Sequence, residues 1–150
     1  MGIGLYTRIP AAAVLRNTIR SRVYERVREE PAIHQAAIAN LLGIGNGTAR
    51  YHLDKLASHH LVYAMNDGHH VRFYASGSVP PTAARQIGAL KTGSLRRVYN
   101  LLVAEPQLSL REAGSRLGMA APSVWRAKKR LEREGLLPAR ASVEPTPAQA

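Results

Sequence analysis

The fold is decided by residues 33–59, IHQAAIANLLGIGNGTARYHLDKLASH. Apolar residues recur at helical spacing over residues 33–42, and Gly43 follows at the position where a helix commonly ends in a left-handed residue. A tight turn then leads into residues 46–59, which carry apolar side chains on one helical face. These side chains are Ala49, Leu53 and Leu56. The stretch therefore predicts two helices joined by a short turn, the second with a polar outward face.

The flanking segments predict one more helix and a hairpin. Upstream, apolar residues recur at every fourth position over residues 15–27, which predicts an amphipathic helix that Pro31 ends. Downstream, residues 61–65 and 71–74 are typical of two strands around Asn66-Asp67-Gly68, and Asp-Gly is a strong hairpin signal. The predicted unit is therefore helix, helix, turn, helix, hairpin.

The helical part of this unit occurs twice in the chain. Residues 20–61 align without a gap with residues 95–136, at an offset of 75 residues, and nine of the 42 positions are identical. In the second copy, Ser109 and Glu112 form a capping-box signature at the start of the second helix. A third helix is predicted over residues 122–134, and the Pro-rich sequence after it shows no second hairpin pattern.

These patterns predict a mainly α-helical fold with a small β-wing, organised as two tandem helix-turn-helix domains. We expect an N-terminal extension over residues 1–10 and a first domain, with its wing, over residues 11–75. A linker that includes a short helix is expected over residues 76–93, and a second domain with a reduced or absent wing over residues 94–137. Residues 138–150 are rich in Pro and Ala, which predicts a disordered tail.

The composition restricts both the partner and the chemistry. The chain has 150 residues with 21 Lys and Arg against 10 Asp and Glu, a formal net charge of +11, so we expect an anionic partner, most commonly nucleic acid. Because the chain has no Cys, disulfides, thiolate catalysis and Cys-based metal sites are excluded. No apolar run approaches the roughly 20 residues needed to cross a bilayer. We therefore expect a cytoplasmic location on the nucleoid, with no membrane contact.

Three segments resemble those of a known family. They are Leu5-Tyr6-Thr7-Arg8-Ile9, then Gly43 to Thr48 followed by Tyr51-His52-Leu53, and the hairpin from Asp67 to Tyr74. On these segments, the chain resembles the archaeal tandem winged helix-turn-helix DNA-binding proteins, often described as transcriptional regulators. The resemblance covers most of residues 5–137. It implies two winged or wingless helix-turn-helix domains, each with a recognition helix that fits the major groove of DNA.

The first copy supplies the predicted sequence-reading contacts. Backbone N–H groups and short polar side chains at the start of its third helix suit a phosphate or a base edge. Arg50 is the first choice for reading guanine, whereas Tyr51 either contacts DNA or packs against the wing, and His52 is expected to pack inside. The predicted contacts of this copy are Asn46, Gly47, Thr48, Arg50, Tyr51 and Lys55 and, on the hairpin, His69, His70 and Arg72.

The second copy has a denser basic strip without a matching polar base reader, so it is expected to contact phosphate. Trp125 aligns with Arg50 and either stacks on DNA or lies in a seam between the domains. Leu53 aligns with Lys128, so one apolar core position has become charged. The predicted contacts of this copy are Ser123, Trp125, Arg126, Lys128, Lys129 and Arg130.

Other chemistries are disfavoured. All six His lie in the first half, which invites a metal-sensor reading, but the adjacent pairs His59-His60 and His69-His70 point in divergent directions and only Asp67 lies close. Residues 43–47 lack the Gly-Lys-Ser/Thr ending of a nucleotide loop. The acidic residues are few and scattered on helix surfaces, so we expect no enzyme, no metal and no cofactor.

The sequence thus favours a transcriptional regulator that binds double-stranded DNA through its recognition helices and a wing. An abundant architectural protein of the nucleoid, with little sequence preference, is the alternative, because the second half carries +7 of the net charge. A module that holds another protein is a third class. A single chain that straddles two major grooves and a homodimer through the first helices or the linker both remain open.

Overall fold

The computed structural model describes residues 11–139. The predicted extension over residues 1–10 lies outside the described residues, and so do residues 140–150 of the predicted tail. The chain divides into two compact units, residues 1–87 and residues 88–150. Its described part is mainly helical, with a small three-stranded antiparallel sheet in the first unit.

The first unit follows the order helix, short strand, two helices and hairpin, which is consistent with a winged helix. Its elements are α1 (Ala11–Val14), α2 (Thr18–Glu29), β1 (Ile33–His34), α3 (Gln35–Leu42), α4 (Asn46–Ser58), β2 (Val62–Asn66), β3 (Val71–Ala75) and then α5 (Pro81–Lys91), which continues into the second unit. The strand order is β1-β3-β2, with both pairs antiparallel. The helix end predicted at Gly43 is confirmed, because Gly43 ends α3 with a left-handed φ of 63°.

The core of the first unit lies where α2, α3 and α4 meet the sheet. Val23 and Val27 of α2 are fully buried, as are Leu56 of α4 and Ile38 of α3, and they form one apolar cluster with Phe73 of β3. Burial of one such aliphatic side chain stabilises the fold by about 1.5–3 kcal/mol. The cluster therefore fixes which side of α4 faces inward.

Residues 33–34 were predicted to begin a helix, and this prediction is wrong. Ala32 adopts a positive φ of 69° after Pro31 and redirects the chain, so that Ile33 pairs with Phe73 and forms β1. The helix starts two residues later because the Nδ1 atom of His34 accepts a hydrogen bond of 3.1 Å from the backbone N–H of Ala37. The local helical period was outweighed by pairing with a distant strand.

The first predicted helix also begins later than its apolar spacing indicated. Leu15 lies in a turn after α1, and α2 starts at Thr18. The cause is Asn17, whose side-chain oxygen accepts a hydrogen bond of 2.9 Å from the backbone N–H of Arg20 and so caps α2.

The face of the hairpin away from the helical core is covered by residues 79–87. The hydroxyl of Tyr74 donates a 2.9 Å hydrogen bond to the carbonyl of Ala84, and the hydroxyl of Tyr63 donates one of 2.5 Å to Val79. The two tyrosine rings stack with their centroids 5.3 Å apart. Burial raises the pKa of Tyr74 to about 12, with the nearby Arg72 opposing the rise, so this phenol stays protonated and keeps its bond.

The second unit contains α6 (Gly93–Ala104), α7 (Leu110–Leu117) and α8 (Ala121–Arg133). The predicted capping box is confirmed: Ser109 Oγ accepts from the Glu112 backbone N–H and the Glu112 carboxylate accepts from the Ser109 backbone N–H. Gly118 ends α7 with a φ of 64°. Val98, Val124 and Leu131 form the centre of its core. Within residues 88–139 the structure shows no strand after α8.

Gly114 holds α7 close to the chain that leads into α8. A Cβ atom at Gly114 would lie 2.5 Å from the backbone oxygen of Met119, whereas a Cβ atom at Gly93 would meet nothing within 4 Å. We therefore predict that Gly114→Ala lowers the free energy of unfolding by about 1–3 kcal/mol, because backbone must move to admit the methyl group. Gly93→Ala is the matched control and should leave it unchanged or slightly higher. Urea unfolding of both variants measures the difference, and equal stabilities would contradict the prediction.

Candidate nucleic-acid interface

Helix α4 separates its residues cleanly into an inward and an outward side. The inward residues are buried and pack on α2 and α3: Ala49, His52, Leu53 and Leu56. The outward residues are exposed and are mostly polar: Asn46, Gly47, Thr48, Arg50, Tyr51, Asp54 and Lys55. The structure therefore brings together on one solvent-facing surface the six predicted contacts of this helix. We call these seven outward residues the α4 outer face.

The start of the α4 outer face keeps its backbone N–H groups available. Gly45 occupies the cap position, and no side chain caps the helix there. A Cβ atom at Gly47 would meet nothing within 4 Å, so this position is open. The side chain of Gln35 donates a 3.1 Å hydrogen bond to the carbonyl of Asn46, which ties the start of α3 to the start of α4. Free N–H groups at such a helix start suit a phosphate oxygen or another anionic acceptor.

Arg50 projects from the middle of the α4 outer face. Its side chain is 74% exposed and its Nε lies 3.8 Å from a carboxylate oxygen of Asp54, which is 72% exposed. An exposed pair with this spacing is worth less than about 1 kcal/mol. The guanidinium can therefore leave Asp54 at little cost and present its two-pronged donor edge to another acceptor.

Tyr51 lies on the same face and is 54% exposed. Its ring contacts are the ring of His52, edge-on at 5.2 Å, and the cations of Arg20 and Lys55 at 5.9 Å and 5.8 Å. The ring of Tyr51 is therefore accessible to solvent, and its contact with DNA stays a prediction.

His52 faces inward, as the sequence indicated. It is 5% exposed, and its Nδ1 atom has no hydrogen-bond partner within the described part of the chain. Burial lowers its pKa, and the positive charge of Arg20 lowers it further. His52 is therefore a neutral packing residue at neutral pH.

Arg72 was predicted to contact DNA from the wing, and the structure corrects this. Arg72 is 6% exposed, its Nε donates to the carboxylate of Asp67, and its Nη1 donates a 3.0 Å bond to the carbonyl of Ala32. These contacts join the hairpin to the segment before β1. The positive charge of Arg72 is therefore paired within the fold. It stabilises the wing and does not face solvent.

Asp67 organises the tip of the wing. Its Oδ1 accepts backbone hydrogen bonds from His69 at 2.8 Å and His70 at 2.7 Å, and its Oδ2 accepts from Arg72. Burial opposes ionisation, but the His70 N–H, the Arg72 side chain and the His69 N–H outweigh it and hold the pKa of Asp67 well below its usual range. The loop between β2 and β3 is thus built around one carboxylate.

The predicted wing contacts His69 and His70 are both exposed at this tip. The His70 ring stacks on His34 with centroids 4.8 Å apart. Burial lowers the pKa of His34, and the positive charges of His70 and Arg72 lower it further, although Glu30 and Asp67 partly oppose them. The stack fixes the direction of His70 and leaves His69 as the less constrained of the two.

In the second unit, the basic strip of α8 is partly neutralised by its own helix. The Nζ atoms of Lys128 and Lys129 lie 3.8 Å and 3.4 Å from the carboxylate of Glu132, whose side chain is only 6% exposed. The two lysine side chains are 31% and 33% exposed. Both therefore offer less free charge to a phosphate than their sequence spacing indicated, because a nearly buried carboxylate holds them.

The other predicted contacts of α8 differ in accessibility. Arg126 is exposed and donates a 3.2 Å hydrogen bond to the hydroxyl of Ser123, which is half-buried like Arg130. Trp125 is also half-buried, its Nε1 is buried without a partner among the described residues, and Lys129 lies 5.9 Å above its ring. Arg126 is thus the most accessible cation of this predicted set.

Three residues that sequence reasoning did not single out shape these surfaces. Arg20 lies under Tyr51, Asp54 pairs with Arg50, and Glu132 pairs with two lysines. The spacing of four residues between Arg50 and Asp54, and between Lys128 and Glu132, is a sequence signal for a helical ion pair. No sequence signal links Arg20 to Tyr51, because that contact depends on how α2 packs on α4.

Two further findings concern residues 11–139. No group of three or more His, Asp or Glu lies together in a way that could hold a metal ion. None of the described helices combines the length and the apolar character needed to span a membrane.

Residues 92–137 match the family model of winged helix-turn-helix DNA-binding domains. The match lies within the second unit and covers less than half of the chain. Among solved structures, the chain is similar to one described as the crystal structure of the transcriptional regulator SlyA, with 23% identity and a TM-score of 0.39. That alignment covers 80% of this chain and 78% of the other. No curated protein matches the sequence.

The buried pair of Asp67 and Arg72 generates a stability prediction. We expect Asp67→Asn to lower the free energy of unfolding by about 3 kcal/mol at pH 7, because it leaves the Arg72 guanidinium buried without a counter-charge. The folded pKa of Asp67 is depressed, so its contribution is present above the ordinary Asp pKa of about 3.9 and declines as the pH falls through and below that value. Denaturant unfolding of the wild type and the variant from pH 7 to pH 3 measures this.

Asp54→Asn is the matched control, because Asp54 also pairs with an arginine but is 72% exposed. Its loss should stay below about 1 kcal/mol at every pH. An Asp67→Asn variant no less stable than the Asp54→Asn variant at pH 7 would contradict the role given to the buried pair.

Proposed function

We propose that this protein is a transcription regulator that binds double-stranded DNA. The single observation that carries the proposal is the α4 outer face, where polar and basic side chains stand exposed on the second helix of a helix-turn-helix arrangement. The net charge of +11 and the match of residues 92–137 to a winged helix-turn-helix DNA-binding domain support it.

In this proposal, the two units make different contacts with DNA. The α4 outer face enters the major groove with the backbone N–H groups around Asn46 and Thr48 on a phosphate and Arg50 on a guanine edge. His69 and His70 at the wing tip lie on the adjoining backbone. The second unit, which carries the tandem copy, adds phosphate contacts through Arg126 and neighbouring cations of α8. In this arrangement the first unit reads the base sequence of the DNA, and both units contribute to the binding affinity.

The exposed cations predict that the affinity for DNA depends on the salt concentration. Binding to a random-sequence duplex should weaken steeply with salt, with a log-log slope of about −0.9 per phosphate contact. Lys55→Ala should lower the affinity and reduce the slope by about one contact, because Lys55 is exposed and pairs with no carboxylate within residues 11–139. Lys128→Ala should change the affinity less, because Glu132 already holds Lys128. Fluorescence anisotropy across a salt series measures both.

A slope near zero for the wild type would contradict DNA binding and favour a protein-interaction module. Equal losses from Lys55→Ala and Lys128→Ala would contradict the division between a free and a neutralised lysine.

The second functional prediction concerns sequence preference. A pool of random duplexes competed at physiological salt should enrich a guanine-containing site, and Arg50→Lys should lose about 10-fold to 100-fold of the preference for that guanine. Lysine keeps the charge but lacks the fork that makes two hydrogen bonds to guanine, so affinity for random duplex should change little. Equal losses on the selected and the random duplex would contradict sequence reading and favour an architectural protein that coats DNA.

A further inference from the structure

Tyr51 is the exception on the α4 outer face, because its neighbours there are polar and it presents an aromatic ring. The ring is 54% exposed, and no other Phe, Trp or Tyr of residues 11–139 is as open to solvent. An exposed ring at the centre of a binding surface offers apolar area that a partner can cover.

The ring is held in place by residues from two helices. The guanidinium carbon of Arg20 on α2 lies 5.9 Å from its centroid, and the Nζ of Lys55 on α4 lies 5.8 Å from it. Arg20 is itself anchored, because its Nη1 donates a 3.2 Å hydrogen bond to the carbonyl of Val14. The edge-on contact with His52 supplies a third neighbour. A ring oriented in this way loses little freedom when a partner covers it.

The major groove offers such a ring one apolar partner. The base edges present hydrogen-bond donors and acceptors there, and the exception is the C5-methyl group of thymine. Tyr51 directly follows Arg50, so its side chain leaves α4 about 100° further around the helix, and both side chains stand exposed on the α4 outer face. A guanine read by Arg50 would therefore have its neighbouring base within reach of Tyr51.

We propose that Tyr51 is a specificity-determining residue that selects thymine, through its C5-methyl group, beside the guanine read by Arg50. This inference rests on the proposed function. The ring makes the contact with its apolar surface, and Arg20 is a positioning residue that holds the ring. The other use of Tyr51, a hydrogen bond from its hydroxyl to a phosphate, needs no thymine and is an outcome of the test.

The test removes one methyl group at a time from DNA. The duplex enriched from the random pool is prepared with each thymine in turn replaced by deoxyuridine, which keeps the base pair and lacks only the methyl group. At one thymine next to the guanine, this change should lower the affinity of the wild type about four-fold, the factor expected for burial of one methyl group. Tyr51→Phe should keep that factor, and Tyr51→Ala should remove it.

Three results would overturn the inference. They are an enriched site without thymine beside the guanine, equal binding of thymine and deoxyuridine duplexes by the wild type, and a methyl effect that persists in Tyr51→Ala. A Tyr51→Phe variant as weak as Tyr51→Ala would assign the contact to the hydroxyl and also overturn it. Unchanged thermal unfolding of each variant controls for folding.

The inference and the proposed function fail in different ways. If the pool yields no enriched duplex, sequence-specific regulation fails and the thymine contact fails with it. If the wild type selects a site that depends on Arg50 but ignores the methyl group, the proposed function stands and only the role of Tyr51 is lost.

Discussion

The α4 outer face depends on one constraint, the burial of the other side of α4 against α2 and α3. Ala49, Leu53 and Leu56 are locked in the core of the first unit, and the helical period then sends Asn46, Arg50 and the residues beside them outward. Rotation of α4 by even one position would bury a cation and expose a leucine. The core therefore does more than stabilise the fold, because it also determines which side chains of α4 are exposed.

The wing depends in the same way on a buried ion pair, Asp67 with Arg72. Asp67 gathers two backbone N–H groups and the Arg72 guanidinium, and this arrangement places His69 and His70 at the tip. The net charge of +11 gives the excess of positive over negative side chains, but it does not show which of these cations are accessible to a partner. Arg72 is enclosed by the fold and Lys128 lies against Glu132, whereas Arg50 and Lys55 remain exposed. Arg50 and Lys55 thus give α4 accessible positive charge, in addition to exposed arginines elsewhere in the first unit, among them Arg16, Arg22 and Arg85.

Most of the fold could be predicted because its signals are local. The helical period, the capping box at Ser109 and the glycines that end α3 and α7 are each encoded within a few residues, and the repeat supplied the second set of helices. The missed features depend on distant partners. β1 forms because Ile33 pairs with Phe73, 40 positions along the chain, and Arg72 is buried because it bonds to Ala32 across the same gap. The outward set on α4 was predictable from its period, whereas the state of each charge was not.

We propose that DNA binds to the α4 outer face. Amide chemical-shift mapping tests it most directly, with isotope-labelled protein titrated with a short duplex at moderate salt. The account predicts that the largest shift changes fall on residues 46–51, with a second group at residues 69–70. Largest changes around Arg22 and Leu41, which line an open pocket of about 270 Å³ between α2 and α3, with α4 unperturbed, would contradict it.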